Sequence, residues 1–269
     1  MSAALDTAAS RTAATASPGR PRLIGVASGK GGVGKTWLAV TLAHALARRG
    51  RRVLLADGDL GLANVDVQIG LSPTHDLDAV LAGRATLAEA AVPHAAGFSV
   101  LPGRSGSGAL AHAATAWSER LAALLRAAGG AAWDDVLLDI GAGLDPAARG
   151  LAACADLLLV VATDEPTSLT DAYAVLKLHG RDAPGGRVGL VVNMATDAAH
   201  GARTHAALAR ACGTFLKRDL PLAAVVRRDP KVRDAIRHQT PLLTRHPHSA
   251  AAADVEALAR GPLLATATA

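Results

Sequence analysis

Three tryptophans, two phenylalanines and one tyrosine are all the aromatic residues in a chain of 269. Half the residues are nonetheless hydrophobic, so a large core must be packed from leucine, valine and alanine with few bulky anchors. Two cysteines, Cys154 and Cys212, lie far apart with no C-x-x-C spacing. That excludes a cysteine-built zinc site and a disulfide framework, and it argues against an iron–sulfur scaffold. The ten histidines show neither H-x-x-x-H nor H-E-x-x-H spacing, so none is assigned to metal. No apolar run reaches the ~18 residues of a membrane span. Residues 1–21 lack a charged region followed by an apolar one, so no signal peptide is expected. A reduced, cytoplasmic chain is the expectation. The net charge of +5 is scattered arginine rather than one basic block, which reads as ordinary solvated surface more than as a nucleic-acid footprint.

Lysine is scarce too, at five against 23 arginines. Two of the five fall in one stretch, Gly29-Lys30-Gly31-Gly32-Val33-Gly34-Lys35-Thr36. It fits G-x-x-x-x-G-K-[ST], a phosphate-binding loop. The apolar run Leu23–Ala27 before it reads as a buried strand, and Trp37–Ala47 after it reads as a helix. Glycines let successive backbone N–H groups turn towards a phosphate, and the helix adds its positive dipole end. Lys35 supplies a point charge to the β- and γ-phosphates, and the Thr36 hydroxyl is a magnesium ligand. Lys30 is more than a generic loop needs. Its presence where arginine normally serves points to chemistry.

Beyond the loop the chain alternates apolar strands with helices. Val53–Ala56 delivers Asp57-Gly58-Asp59 at a strand end, and Val136–Leu138 delivers Asp139. Phe98–Leu101, Leu157–Ala162 and Val188–Asn193 read as further strands. Helices are expected over 76–81, after the capping-box spacing at Thr86, over 117–126 with a stop at Gly129-Gly130, over 167–179 and at 206–211. Two more are expected to start at Asp229-Pro230 and at Ser249. Pro102–Gly108 reads as a loop, and Phe215–Leu220 and Ala223–Val226 as edge strands. Strands without a polar face imply a mostly parallel sheet covered on both sides. The fold expected is one doubly wound α/β domain over 22–260, with a disordered lead-in at 1–21 and a short tail at 261–269. Binding groups in such folds gather at the carboxyl ends of the strands. Asp139 is placed there as a magnesium-side carboxylate, and Asp59 as the residue that orients the attacking water. Asp57 is expected to anchor its loop. Asn193 either reads a base edge through its amide or caps the loop after its strand, and spacing alone leaves the two equal.

Taken together, residues 29–36 resemble the deviant Walker A loop of the MinD/ParA family of P-loop ATPases. In that family the early lysine crosses an ATP-sandwiched dimer to the partner's nucleotide, which the resemblance implies for Lys30. Asp57–Asp66 is similar to the family's switch I, whose second acid is hydrolytic, hence Asp59. Leu138–Gly143 resembles its Walker B and switch II, and Val192–Ala195 its adenine-contact strand. An acid of the base pocket is matched by Asp229, but the proline often found two residues earlier is here Arg227. Asp164–Ala174, and Val232–Ser249 with Gln239 and Pro247-His248-Ser249, look like the FlhG/FleN branch of flagellar number regulators. The resemblance implies ATP and Mg2+, an ATP-bound homodimer and hydrolysis. It also implies control of flagellar number or placement, with a site of action in the cytoplasm, at the cell pole or at the inner membrane face. The implied partner is an FlhF-type GTPase, a flagellar transcription regulator or a basal-body component. Residues 1–21 lack the branch's Asp-Gln-Ala motif for stimulating FlhF. Residues 261–269 carry none of the lysine or arginine of a lipid-binding helix. DNA partition or division-site selection by a ParA- or MinD-type ATPase is the alternative.

Overall fold

Valine, leucine and alanine runs with no polar face can be buried only between two layers of helix. A computed structural model describes residues 20–59, 61–103, 114–127 and 132–265 in that arrangement. Eight strands form one sheet: β1 (Arg22–Ala27), β2 (Val53–Gly58), β3 (Val92–Pro93), β4 (Ser99–Leu101), β5 (Asp135–Ile140), β6 (Leu157–Ala162), β7 (Val188–Ala195) and β8 (Leu222–Arg227). Their order is β3-β4-β2-β5-β1-β6-β7-β8, parallel except where β3 meets β4. From β1 the chain turns to one side for β2 to β5, and from β5 it crosses β1 to build β6 to β8 on the other, so the carboxyl end of β1 is the topological switch point where ligands bind in such sheets.

Alternate strand residues feed two cores. Leu54, Val136, Leu138, Leu158 and Val160 face one side, beneath α5 (Ala114–Ala127), α6 (Pro146–Cys154), α7 (Pro166–Asp182) and α8 (Ala198–Ala211). Ile24, Val26, Leu55, Leu137 and Leu159 face the other, beneath α1 (Lys35–Ala47), α9 (Pro230–Arg237), α10 (Leu242–Arg245) and α11 (Ala250–Arg260). Helix α1 is buried on nearly every side, which explains its almost continuous apolar sequence. Three short helices complete the set: α2 (Val65–Ile69), α3 (Leu77–Leu81) and α4 (Leu87–Ala90), the last held by the Thr86/Glu89 capping box.

The doubly wound sheet agrees with expectation, and one element does not. Phe215–Leu220 is not a strand. The chain leaves α8 through a π turn, Cys212–Leu216, and reverses at Lys217 with φ 52°. Cys212 enters the core while Phe215 stands 73% exposed, so the segment has no face to pair, and β8 already forms the sheet edge. Helix α6 is an addition: its Asp145-Pro146 start opens a segment in which Leu151 is the one large apolar residue. The expected disorder before residue 20, most of the loop over 102–108, the Gly129-Gly130 stop and the end of the tail lie outside the described residues. Among the described residues no helix is long and apolar enough to cross a membrane.

Candidate nucleotide site

The loop between β1 and α1 is held from both sides. Gly34 has φ 89°, and a Cβ there would fall 2.5 Å from the amide nitrogen of Asn193. That amide donates to the Val33 carbonyl at 2.8 Å. Asn193, 3% exposed at the end of β7, therefore fixes the phosphate loop through its backbone. At the other end, a Cβ on Gly29 would meet the Asp171 carbonyl of α7 at 2.4 Å. The loop can pass only because residue 29 has no side chain. Ser28 accepts from the Gly143 N–H through its carbonyl at 3.0 Å, joining the loop to the segment after β5.

Two acids crowd together near the ends of β2 and β5, one of them against the start of α1. The parallel register sets Asp57 on β2 directly opposite Asp139 on β5. Both are buried. Burial, with the neighbouring Asp57 charge next, pushes Asp139 up to about 7, although the Thr36 hydroxyl and the Lys35 ammonium favour its charged form. Burial likewise pushes Asp57 up to about 6, against three backbone N–H groups that stabilise its carboxylate. Those bonds define its role. Its Oδ2 accepts from Asn64 and Val65 at 2.9 and 3.0 Å, and its Oδ1 from Asp59 at 3.2 Å. Asp57 anchors the loop that opens α2. Asp139 Oδ1 has no hydrogen-bond partner. An orphaned buried carboxylate oxygen beside a threonine hydroxyl is a fitting donor set for magnesium, which takes oxygen ligands and keeps most of its waters.

Asp59 stands at the rim of the same site. Its Oδ1 accepts from the Gly61 and Leu62 N–H groups at 3.0 Å. A Cβ on Gly141 would lie 3.2 Å from its carboxyl carbon, so Asp59 lies across the segment after β5. Lys30 turns to its own chain, where its Nζ donates to Glu165 at 2.6 Å and to Thr167 at 3.2 Å. Asp229 caps α9 through the Lys231 N–H at 2.9 Å and also receives Ala251 N–H at 3.2 Å. Arg227 lines the same cleft and pairs with Asp254 at 2.8 Å.

A cleft of about 980 Å³ joins these parts. It is lined by Gly31, Gly32, Gly34, Lys35, Thr36 and Asp59, by Asn193 and Met194 against Gly34, and by Arg228, Asp229 and Pro230. The volume suits a nucleoside triphosphate. Of the residues expected from the sequence, Gly31, Gly32, Gly34, Lys35, Thr36, Asp59, Asn193 and Asp229 line this cleft, whereas Asp139 is buried beside Thr36 and Lys30 turns to Glu165. Gln239 also lines it, and Glu165 and Thr167 hold Lys30 beside the loop; sequence reasoning gives none of the three a chemical role. Glu165 and Thr167 fall in the Thr163–Ser168 loop, which follows a strand as binding segments do, and Gln239 in a stretch marked by resemblance, but a long-range contact leaves no local pattern that would give any of them a role.

The family model described as "CobQ/CobB/MinD/ParA nucleotide binding domain" matches residues 24–242. The chain is 37% identical over 241 residues to the antiactivator FleN of Pseudomonas aeruginosa, covering 89% of this chain and 85% of that one. It is 31% identical over 188 residues to the flagellum site-determining protein YlxH of Helicobacter pylori, covering 70% and 63%. The septum site-determining protein MinD of Pyrococcus horikoshii, solved in complex with Mg-ADP, superposes with a TM-score of 0.73 at 27% identity, over 89% of this chain and 94% of that one.

Proposed function

The chain belongs to the CobQ/CobB/MinD/ParA nucleotide-binding family, and from that premise we propose an ATP-driven dimerisation switch that hydrolyses ATP and regulates flagellar number or placement. The observation that carries the chemistry is the meeting of the phosphate loop and Asp59 on one cleft, with the orphaned oxygen of the buried Asp139 behind the cleft residue Thr36. The relatives FleN and YlxH support the flagellar output.

The residues divide the work. The loop amides and Lys35 would hold the phosphates, and Thr36 and Asp139 would hold magnesium, whose charge would offset that developing on the transferred phosphoryl group. Asp59 orients the attacking water. Asn193 braces the loop, and it and Asp229 border the base. Lys30 completes the site of a second copy. To reach it, Lys30 must leave Glu165, an exposed pair at 40% and 60% side-chain exposure. Solvent screens so exposed a pair, so its release costs little. The word antiactivator in the FleN relative supports a transcription regulator as partner, ahead of an FlhF-type GTPase or a basal-body component.

The test is biochemical first. Asp59→Ala should hold an ATP-bound dimer in size-exclusion chromatography, and Lys30→Ala should abolish turnover. Wild-type turnover by purified Lys30→Ala protein would sink the shared-site mechanism. Deleting the gene should change flagella per cell at normal cell length. Minicells with normal flagella would move the assignment to division-site selection, and anucleate cells would move it to DNA partition.

A further inference from the structure

Among the described residues three non-glycine residues have positive φ: Met194, Lys217 and Gln239. Two of them, Met194 and Gln239, border the nucleotide cleft. A left-handed backbone at a long-chain residue costs about 1–3 kcal/mol and persists only where the surroundings impose it. Gln239, with φ 48°, sits just past the end of α9. Its own N–H bonds the Ile236 carbonyl at 3.0 Å, and the next N–H, of Thr240, reaches Ala235 at 3.1 Å. The turn aims the side chain away from α9 and across to α2. There its Nε2 donates to the Val67 carbonyl at 2.7 Å, a contact 172 residues away in sequence. The fit is close on both sides: Gly70, the left-handed cap of α2, would place a Cβ 3.3 Å from the Gln239 Cβ.

Helix α2 has five residues, too short to hold its own position. It is fixed at its start by Asp57, which takes the Asn64 and Val65 N–H groups, and near its end by Gln239. Asp59 lies in the segment entering α2. Asp229 and Pro230 at the other end of α9 border the base side of the cleft. One side chain thus ties the helix that borders the base to the helix behind the water-orienting acid. We infer that Gln239 is a positioning residue, a latch that holds α2 on α9 and thereby fixes Asp59 over the phosphate end. The inference deepens the ATPase reading and rests on it for its catalytic consequence alone.

Glycine at 239 suits the left-handed backbone and removes the amide, so Gln239→Gly should fold with an unchanged or higher Tm. Gln239→Glu keeps the shape and replaces the donor with an acceptor that repels the Val67 carbonyl. Both full-length variants should lose turnover about three- to tenfold, the scale of one hydrogen bond, with KM for ATP nearly unchanged. Amide exchange at Gln68 and Ile69 should be faster than in wild type by a similar factor, in protein without nucleotide. A structural role alone would lower Tm and leave kcat in place. Wild-type exchange in both variants overturns the latch, and faster exchange with wild-type kcat overturns its role in placing Asp59. A wild-type chain that does not turn over ATP would count against the ATPase reading, and the exchange rates would still decide the latch.

Discussion

Asp139 carries two demands that conflict. Its burial and its position opposite Asp57 make its charge costly, holding its pKa near 7 against a usual value of 3.8. A carboxylate raised in this way contributes stability that is complete below its unfolded pKa and is lost as pH rises through its folded pKa. Without nucleotide or metal, stability should therefore fall between about pH 4 and 7. Asp139→Asn removes the charge and should stabilise the nucleotide-free protein at pH 8 by on the order of 2–4 kcal/mol. The gain should vanish by pH 4. Magnesium reverses the balance by favouring the carboxylate, so the same variant should lose magnesium-dependent nucleotide binding. Thermal melts across pH, with and without Mg-ADP, read both effects. A destabilised variant at pH 8 would show that the carboxylate is not under strain.

At the scale of elements, the site is a set of strand ends drawn together by side chains from other strands. Asn193 belongs to β7, yet it holds the loop between β1 and α1. Removing it in Asn193→Ala strands the Val33 carbonyl and frees the loop, at about 1–3 kcal/mol. ATP affinity should fall about five- to tenfold or more, with the fold kept, as titration calorimetry would register. Unchanged affinity would mean that the loop is rigid without its brace. How much of this was legible follows from range. The phosphate-loop motif, the strand-end acids and the helix starts at Asp76, Thr86, Asp229 and Ser249 are local patterns, and the structure sets the two acids near strand ends and each of the four residues at the start of a helix. Helix α6 opens with the same Asp-Pro device as α9, but its alanine-rich sequence gives no apolar period to mark it. Phe215, Leu216 and Leu220 mimic a strand because strand propensity records apolar content, whereas the π turn is dictated by how Cys212 packs. The reach of Asn193 to Val33 and of Gln239 to Val67 spans 160 and 172 residues. Only the fold brings those partners together, which is why spacing left the role of Asn193 open.

For the molecule as a whole, the two ends of the sheet are specialised. The crowded pair Asp57 and Asp139, the latter with an orphaned oxygen, and the positive-φ residues Met194 and Gln239 sit at the carboxyl end by the cleft. The opposite end is stitched with ion pairs: Arg20 to Asp156, Arg52 to Asp134, and Arg22 and Arg51 to Asp135. Several of the arginines behind the net charge of +5 are therefore structural, which weakens a nucleic-acid reading of that charge. Asp135 is the centre of the stitching. Its side chain is fully buried at the start of β5, and its two oxygens take Arg22 from β1 at 2.9 Å and Arg51 from the turn before β2 at 2.7 Å. Arg22 in turn reaches the Leu264 carbonyl at 3.0 Å, binding the segment after α11. Asp135→Ala leaves a nearly buried guanidinium without its partner, a loss of about 3–5 kcal/mol. For a domain of this size that corresponds to a fall in Tm on the order of 10 °C. The cleft is at the far end of the strands, so KM for ATP in the folded fraction should hold. Replacing Arg22 by Met together with Asp135→Leu should recover part of the stability, because a buried apolar pair avoids the desolvation cost of the ions. A normal melt in Asp135→Ala with impaired nucleotide binding would reverse the picture, showing that the buried acid tunes the site across the length of β5 rather than closing the base of the sheet.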